Sequence, residues 1–158
     1  MEEMRAHLGC AVSASSKAAH PANEEKVMNA KKLTPNLVVH NVEESLRFYE
    51  NVLGFTREMV VPDQSPFVFA SVKSGDVELF FNDLNHVLSD RPEMKGKPLA
   101  SISSSFIEVD NVEAVLRKVE AAKVKLVMPL TEQWYGMKEF VIADPDGHLL
   151  IFAERINK

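Results

Sequence analysis

Residues 41–55 read NVEESLRFYENVLGF, and this stretch decides the fold. Asn41 is a residue type that caps helix N-termini, and Glu44 follows it at the spacing of a capping box. Apolar side chains then recur at helical spacing, at Val42, Leu46, Tyr49 and Leu53. Gly54 follows as a helix-ending residue, because glycine readily adopts a left-handed backbone. The stretch predicts one amphipathic helix with a single buried face.

Strand-like runs surround this helix. A short apolar run at 37–39 precedes it, and runs at 55–61, 67–72 and 77–81 follow it. Pro62 and the Ser-Gly-Asp sequence at 74–76 separate the later runs, and both are typical of turns. The order of elements is therefore βαβββ.

The same order occurs a second time. Asn111 lies 70 residues after Asn41 and is again placed as a helix cap. A strand at 106–109 precedes it, and a helical stripe follows at Val112, Val115, Leu116 and Val119. Further strands are predicted at 124–128, 139–142 and 148–153, with a sharp Asp-Pro-Asp-Gly turn at 144–147. A generic α+β domain with accidental similarity is the alternative, but matching order and matching caps favour duplication.

The predicted fold is α+β. Two tandem βαβββ modules, residues 33–82 and 101–156, would form a curved mixed sheet with a concave cup and helices on its outer face. Residues 83–100 are rich in Asp, Asn, Pro, Lys and Gly and are interpreted as a linker loop. Residues 1–30 show no period that could bury a face, and we expect a mobile N-terminal extension before a single domain at 31–158. A concave sheet face is a natural pocket for a small molecule.

Composition excludes several classes. The net charge of −5 at pH 7 without any basic run predicts no nucleic-acid partner. The only cysteine, Cys10, excludes an internal disulfide and a cysteine-based zinc cage. No apolar run approaches the roughly 18 residues of a membrane span, so no membrane partner is expected and the cytoplasm is the expected compartment.

The Leu-Gly-Phe sequence at 53–55 and the Asp-Pro-Asp-Gly-His sequence at 144–148 resemble the vicinal oxygen chelate superfamily of glyoxalase I, bleomycin-resistance proteins and extradiol dioxygenases. The resemblance covers residues 33–156. The stretch 132–136, EQWYG, followed by Glu139-Phe140, is similar to the C-terminal signature of bleomycin-resistance proteins. The spacing differs by one residue, so either Trp134 or Tyr135 takes the aromatic place.

The resemblance implies positions for a divalent metal. Enzymes of the superfamily hold one ion with side chains from four strands, and the corresponding positions here are Thr34, Glu78, Ser104 and Ile151. Only Glu78 is a plausible ligand, and two hydroxyls with an isoleucine do not complete a site. None of the five histidines has the spacing of a paired ligand. We therefore expect no metal and no cofactor.

Alternation along the strands indicates which side chains share a face. Phe80 lies on the face of Glu78, and Phe106 lies on the face of Ser104. Glu78 is either a buried anchor or base, or a polar residue on a wetted sheet face, and the two phenylalanines either line the cup or fill the core. The candidate ligand contacts are Asn36, Val38, Glu78, Phe80, Ser104, Phe106, Trp134 and Tyr135.

The leading hypothesis is a small-molecule binding protein of the bleomycin-resistance type. It would sequester an aromatic or cationic ligand in a metal-free cup, because aromatic rings with a carboxylate suit such a ligand. The resemblance implies a homodimer with the cup at its interface. One alternative is a metal-dependent enzyme that uses Glu78, either a glyoxalase-type lyase or a dioxygenase. The other is a structural dimer module without ligand.

Overall fold

The structure is a computed structural model that describes residues 31–99 and 103–156. The expected mobile extension, residues 1–30, lies outside the described residues. From Leu33 onward the chain forms one compact unit. Within the described ranges, no helix is both long and apolar enough to cross a lipid bilayer.

The first module contains one helix and four strands. The elements are β1 (Asn36–Val39), α1 (Val42–Asn51), β2 (Thr56–Val61), β3 (Phe69–Ser74) and β4 (Val77–Asp83). The sheet order is β1-β4-β3-β2, with β1 parallel to β4 and the other pairs antiparallel. The parallel pair joins the first and last strands of the module, so α1 and two further strands fill the connection between them.

The second module repeats this topology. Its elements are β5 (Ser104–Glu108), α3 (Val112–Ala121), β6 (Leu126–Glu132), β7 (Met137–Ala143) and β8 (Leu149–Arg155). The sheet order is β5-β8-β7-β6, again with only the first pair parallel. The predicted α+β fold of two βαβββ modules is confirmed, although strand boundaries differ from prediction by up to four residues.

Both predicted helix caps are present. The Asn41 side chain accepts a hydrogen bond from the Glu44 amide at 2.8 Å, and Asn111 accepts one from the Ala114 amide at 2.8 Å. Gly54 has a φ of +76°, which glycine adopts without strain. The helix ends one residue earlier than a cap at Gly54 would require, because its last residue is Asn51 and Val52 is its C-cap.

The linker prediction was wrong in one respect. The segment predicted to be a loop at 83–100 contains a helix, α2 (Leu84–Asp90), and a 3₁₀ turn at Pro92–Met94. The Asp83 side chain caps α2 by accepting a hydrogen bond from the His86 amide at 2.9 Å. None of the α2 residues is buried, so the segment lacks the apolar stripe by which sequence patterns reveal helices.

The core lies between the helices and one face of each sheet. Phe55, Phe81 and Phe152 are buried there, and Phe48 packs against this core. Along β4, buried Leu79 and Phe81 alternate with side chains that face away from the helices. The opposite, concave face therefore carries the residues that a ligand could reach.

Candidate functional site

A cavity of about 650 Å³ opens beside the first strands of the two modules. Its walls come from β1 and β4 of the first module, β5 of the second, and the start of β8. Five of the predicted contacts line it: Asn36, Val38, Glu78, Ser104 and Phe106. Leucine side chains at 33, 37, 79, 99 and 149 make much of the remaining wall apolar. The volume lies within the range typical of sites for small organic molecules.

Phe106 is the most accessible aromatic side chain of the cavity wall. It is 51% exposed, whereas its neighbour Ile107 is buried in the core. Successive residues of a strand point to opposite faces, so β5 turns Phe106 away from the helices. The alternative that Phe106 fills the core is therefore wrong.

Glu78 is partly buried in the cavity wall. The Thr34 hydroxyl donates a hydrogen bond to Glu78 Oε2 at 3.4 Å. Lys73 lies opposite Glu78 in the register of β3 and β4. A carboxylate in this setting can accept hydrogen bonds from a ligand or balance its positive charge.

Phe80 lies on the face of Glu78, as alternation predicted, but it does not line the cavity. Its ring packs against Phe69, with ring centroids 5.3 Å apart. Asn82 is next along this face and donates a hydrogen bond to Asn36 Oδ1. The Asn82 hydrogen bond holds Asn36 at the edge of the cavity, whereas Phe80 packs within the first sheet, outside the cavity lining.

Trp134 and Tyr135 lie in the turn between β6 and β7, outside the cavity lining. Trp134 is 93% exposed, and its ring meets that of Tyr135 edge-to-face with centroids 5.5 Å apart. The Tyr135 hydroxyl donates to Glu139 Oε1 at 2.7 Å. This hydrogen bond to the carboxylate raises the pKa of Tyr135, so its hydroxyl stays protonated as a donor.

The superfamily's metal positions do not form a metal site here. Thr34 and Glu78 are in contact, but Ser104 lies opposite Leu149, and Ile151 lies opposite Phe106. One carboxylate, two hydroxyls and an aliphatic side chain lack the nitrogen and oxygen donors that Zn, Ni, Fe or Mn require. Within residues 31–99 and 103–156, no three His, Cys, Asp or Glu side chains are grouped to hold an ion.

Polar contacts join the first module to the turn before β8. The Tyr49 hydroxyl donates to Asp144 Oδ2 at 3.0 Å, and both side chains are buried. Burial raises the pKa of Asp144, and burial with the adjacent carboxylate raises the pKa of Tyr49 well above its usual value. The His40 amide donates to Asp146 at 2.9 Å.

His148 takes part in the same junction. Its Nε2 lies 3.0 Å from the Val38 carbonyl oxygen, and it lines the cavity together with Leu149. His148 is the first residue of the strand predicted at 148–153, and it was not among the candidate ligand contacts. The signal available was its position directly after the Asp-Pro-Asp-Gly turn, but the carbonyl that it meets is 110 residues earlier.

Comparisons with known proteins agree with this architecture. The family model described as the glyoxalase/bleomycin resistance protein/dioxygenase superfamily matches residues 31–152. A bleomycin resistance protein from Geobacillus stearothermophilus is 25% identical over 132 residues, which cover 77% of this chain and 95% of that protein. A bleomycin resistance protein from Staphylococcus aureus shows the same identity and coverage.

Solved structures share the fold. A glyoxalase/bleomycin resistance protein/dioxygenase from Nocardioides superposes with a TM-score of 0.65 at 17% identity, covering 83% of this chain and 88% of that one. TioX from Micromonospora sp. ML1 gives a TM-score of 0.63 at 16% identity, covering 80% and 100%. From its fold and the family match, this chain belongs to the glyoxalase/bleomycin resistance protein/dioxygenase superfamily.

Proposed function

We propose that this protein binds a small aromatic or cationic molecule and sequesters it without making or breaking bonds. The observation that carries this proposal is the cavity of about 650 Å³ with Phe106 and Glu78 in one wall. The relatives named bleomycin resistance proteins support a binding role, and the superfamily's metal positions lack the donors for its metal chemistry. We expect the protein to act in the cytoplasm.

Each part of the cavity would contribute a different interaction. Phe106 offers a flat apolar surface for a planar group, and the leucines of the cavity wall would add apolar contact area. Glu78 would accept hydrogen bonds from the ligand. Asn36 and Ser104 would accept or donate hydrogen bonds at the rim. Such a site selects for shape and charge together, as expected for sequestration.

We also propose that two chains associate through their concave faces. Met59 lies opposite Ser71, which lies opposite Phe80, so all three share the concave face of the first sheet. Met59 is 56% exposed and Val61 is 44% exposed. Exposed apolar side chains gathered on one face mark interaction surfaces, and a second copy would cover them.

Calorimetric titration with bleomycin as the probe tests the binding proposal. Phe106→Ala is expected to weaken binding by roughly tenfold, because an aromatic contact of this kind contributes on the order of 1 kcal/mol or more. Met94→Ala is the matched control, since Met94 is exposed on the 3₁₀ turn and does not line the cavity. It should bind as the parent does.

Two results would contradict the proposal. The first is that the parent protein binds neither bleomycin nor 2-naphthylmethylamine, a simpler aromatic cation. The second is equal affinity of the parent and Phe106→Ala for both probes, because the cavity would then not hold them.

A further inference from the structure

Glu139 is a buried carboxylate on the concave face of the second sheet. Its neighbours along β7, Phe140 and Ile142, belong to the core beneath α3. Alternation therefore turns Glu139 to the opposite face. Only 5% of Glu139 is exposed, so a charged side chain is buried on the face away from the helices. Glu139 belongs to the signature stretch but was not among the candidate ligand contacts predicted from the sequence.

One oxygen of this carboxylate is satisfied and the other is not. Oε1 accepts the hydrogen bond from the Tyr135 hydroxyl at 2.7 Å. Within the described part of the chain, Oε2 is inaccessible to solvent and has no hydrogen-bond partner. Burying a polar atom without a partner costs free energy, and the cost is greater for a charged group. A buried acceptor of this kind points to a missing donor.

The neighbouring donors are engaged elsewhere. In the register, Glu139 lies between Ala153 of β8 and Thr131 of β6. Ala153 has no polar side-chain atom, and the Thr131 hydroxyl donates to the Pro129 carbonyl at 2.8 Å. The side chains opposite Glu139 on the two flanking strands therefore donate no hydrogen bond to Oε2.

Two cationic side chains near Glu139 form ion pairs with other carboxylates. Lys138, next to Glu139 in sequence, forms an ion pair with Glu113 at the start of α3. Arg155 lies opposite Met137, one pair further along this face, and its Nε is 3.6 Å from Glu108. Both positive groups thus have carboxylate partners other than Glu139.

An aromatic pair stands beside the carboxylate. Gly136 has a φ of +83°, and its amide donates to the Gln133 carbonyl at 3.0 Å. This tight turn brings the Tyr135 hydroxyl back to Glu139, and it leaves the Trp134 ring almost fully exposed at the edge of Tyr135. Aromatic faces attract ammonium and guanidinium groups, and a buried carboxylate attracts them more strongly.

We propose that Glu139 and Tyr135 form a binding site for an ammonium or guanidinium group of the ligand. Once the side chains that cover Oε2 move aside, the group would donate an N–H to Glu139 Oε2 while Tyr135 keeps Oε1, and Trp134 would give its carbon chain an apolar surface. This inference rests on the proposed function, because it assigns the ligand's positive end. β5 and β7 are separated only by β8, so Glu139 lies about 10 Å across the sheet from the strand of Phe106. The site therefore suits an elongated ligand with a cationic end.

A matched pair of probes tests the inference. 2-Naphthylmethylamine carries an ammonium group, and 2-naphthylmethanol has a similar shape without charge. The parent protein is expected to bind the amine at least about tenfold more tightly, as for a charged hydrogen bond. Glu139→Gln should abolish this preference and leave the affinity for the alcohol unchanged. Glu120→Gln removes an equal charge from the exposed side of α3 and should keep the preference.

The outcomes separate the two proposals. Equal binding of both probes to the parent would overturn the Glu139 site and leave the sequestration proposal standing. No binding of either probe, together with no binding of bleomycin, would overturn both. A loss of both affinities in Glu139→Gln would assign Glu139 a structural role only. A melting scan accompanies the titrations, and Glu139→Gln should melt no lower than the parent, because it relieves a buried charge without a partner.

Discussion

Asp144 illustrates how one buried side chain joins two modules. Its Oδ1 accepts hydrogen bonds from the amides of Asp146 and His148, at 3.0 and 2.8 Å, and its Oδ2 accepts one from Tyr49. These bonds favour the carboxylate, but burial outweighs them and raises the pKa of Asp144 above its usual 3.8. Because Asp144 is buried in this turn, its carboxyl holds a proton to a higher pH in the folded state than in the unfolded state.

The replacement Asp144→Asn should make stability depend less on pH. Just above pH 3.8 the folded carboxyl keeps a proton that the unfolded one has lost. The stability from this group is therefore fully present below the unfolded pKa and falls as the pH rises through the folded pKa. Urea unfolding of the parent and the variant across the mildly acidic range checks this, with exposed Asp63→Asn as the control. Parallel profiles for the parent and Asp144→Asn would contradict it.

Individual site residues could be predicted only where alternation decides them. Alternation put Phe106 on the face of Ser104 and left open whether that face was buried, and in the structure both residues line the cavity. The same rule applies to Glu139, but its significance depends on a hydroxyl in the preceding turn and on cations that pair elsewhere. Both contacts depend on the tertiary structure, so residue types and spacing did not predict them.

At the scale of elements, the two main helices were predictable because their signals are local. The cap, the apolar stripe and the first-turn acids of α1 and α3 all lie within a dozen residues of each other. Helix α2 carries a cap but buries no residue, so the stripe that identifies a helix is missing. A helix without a buried face has no apolar residues at helical spacing, and its polar composition then favours a loop. The linker prediction failed for that reason.

Asn111→Ala tests the cap of α3. The Asn111 side chain satisfies the Ala114 amide, and no other side-chain acceptor is shown for that amide among the described residues. The variant is therefore expected to lose about 1 kcal/mol of unfolding free energy in urea denaturation. Asn111→Asp, which keeps the acceptor, should lose much less. Equal losses in the two variants would show that the capping bond does not stabilise the helix.

At the scale of the whole molecule, the repeat predicted two similar modules but not how they meet. The contact between Tyr49 and Asp144 joins residues 95 positions apart, and no local pattern announces it. The cavity likewise needs β1, β4 and β5 together. Five of the predicted contacts, all on strands, line it, whereas Phe80 packs on the first sheet and the turn before β7 holds Trp134 and Tyr135 outside the cavity.

Light scattering after size exclusion tests the association of two chains. The full chain is expected to elute with the mass of a dimer at micromolar concentration, and Met59→Glu should shift it to the monomer, because a charge would then be buried at the interface. Arg57→Gln is a control on the same strand, because Arg57 lies opposite buried Val72 and forms an ion pair with Glu50 of α1 on the other face of the sheet. A monomeric parent protein would contradict the proposed dimer.

The most direct test of the account is amide chemical-shift mapping of the isotope-labelled protein during titration with 2-naphthylmethylamine. The account predicts saturable shifts at the cavity residues, chiefly Asn36, Glu78, Ser104 and Phe106, with α2 unaffected. An absence of shifts up to millimolar probe, or shifts confined to α2 and the outer helices, would contradict the claim that this cavity binds the ligand.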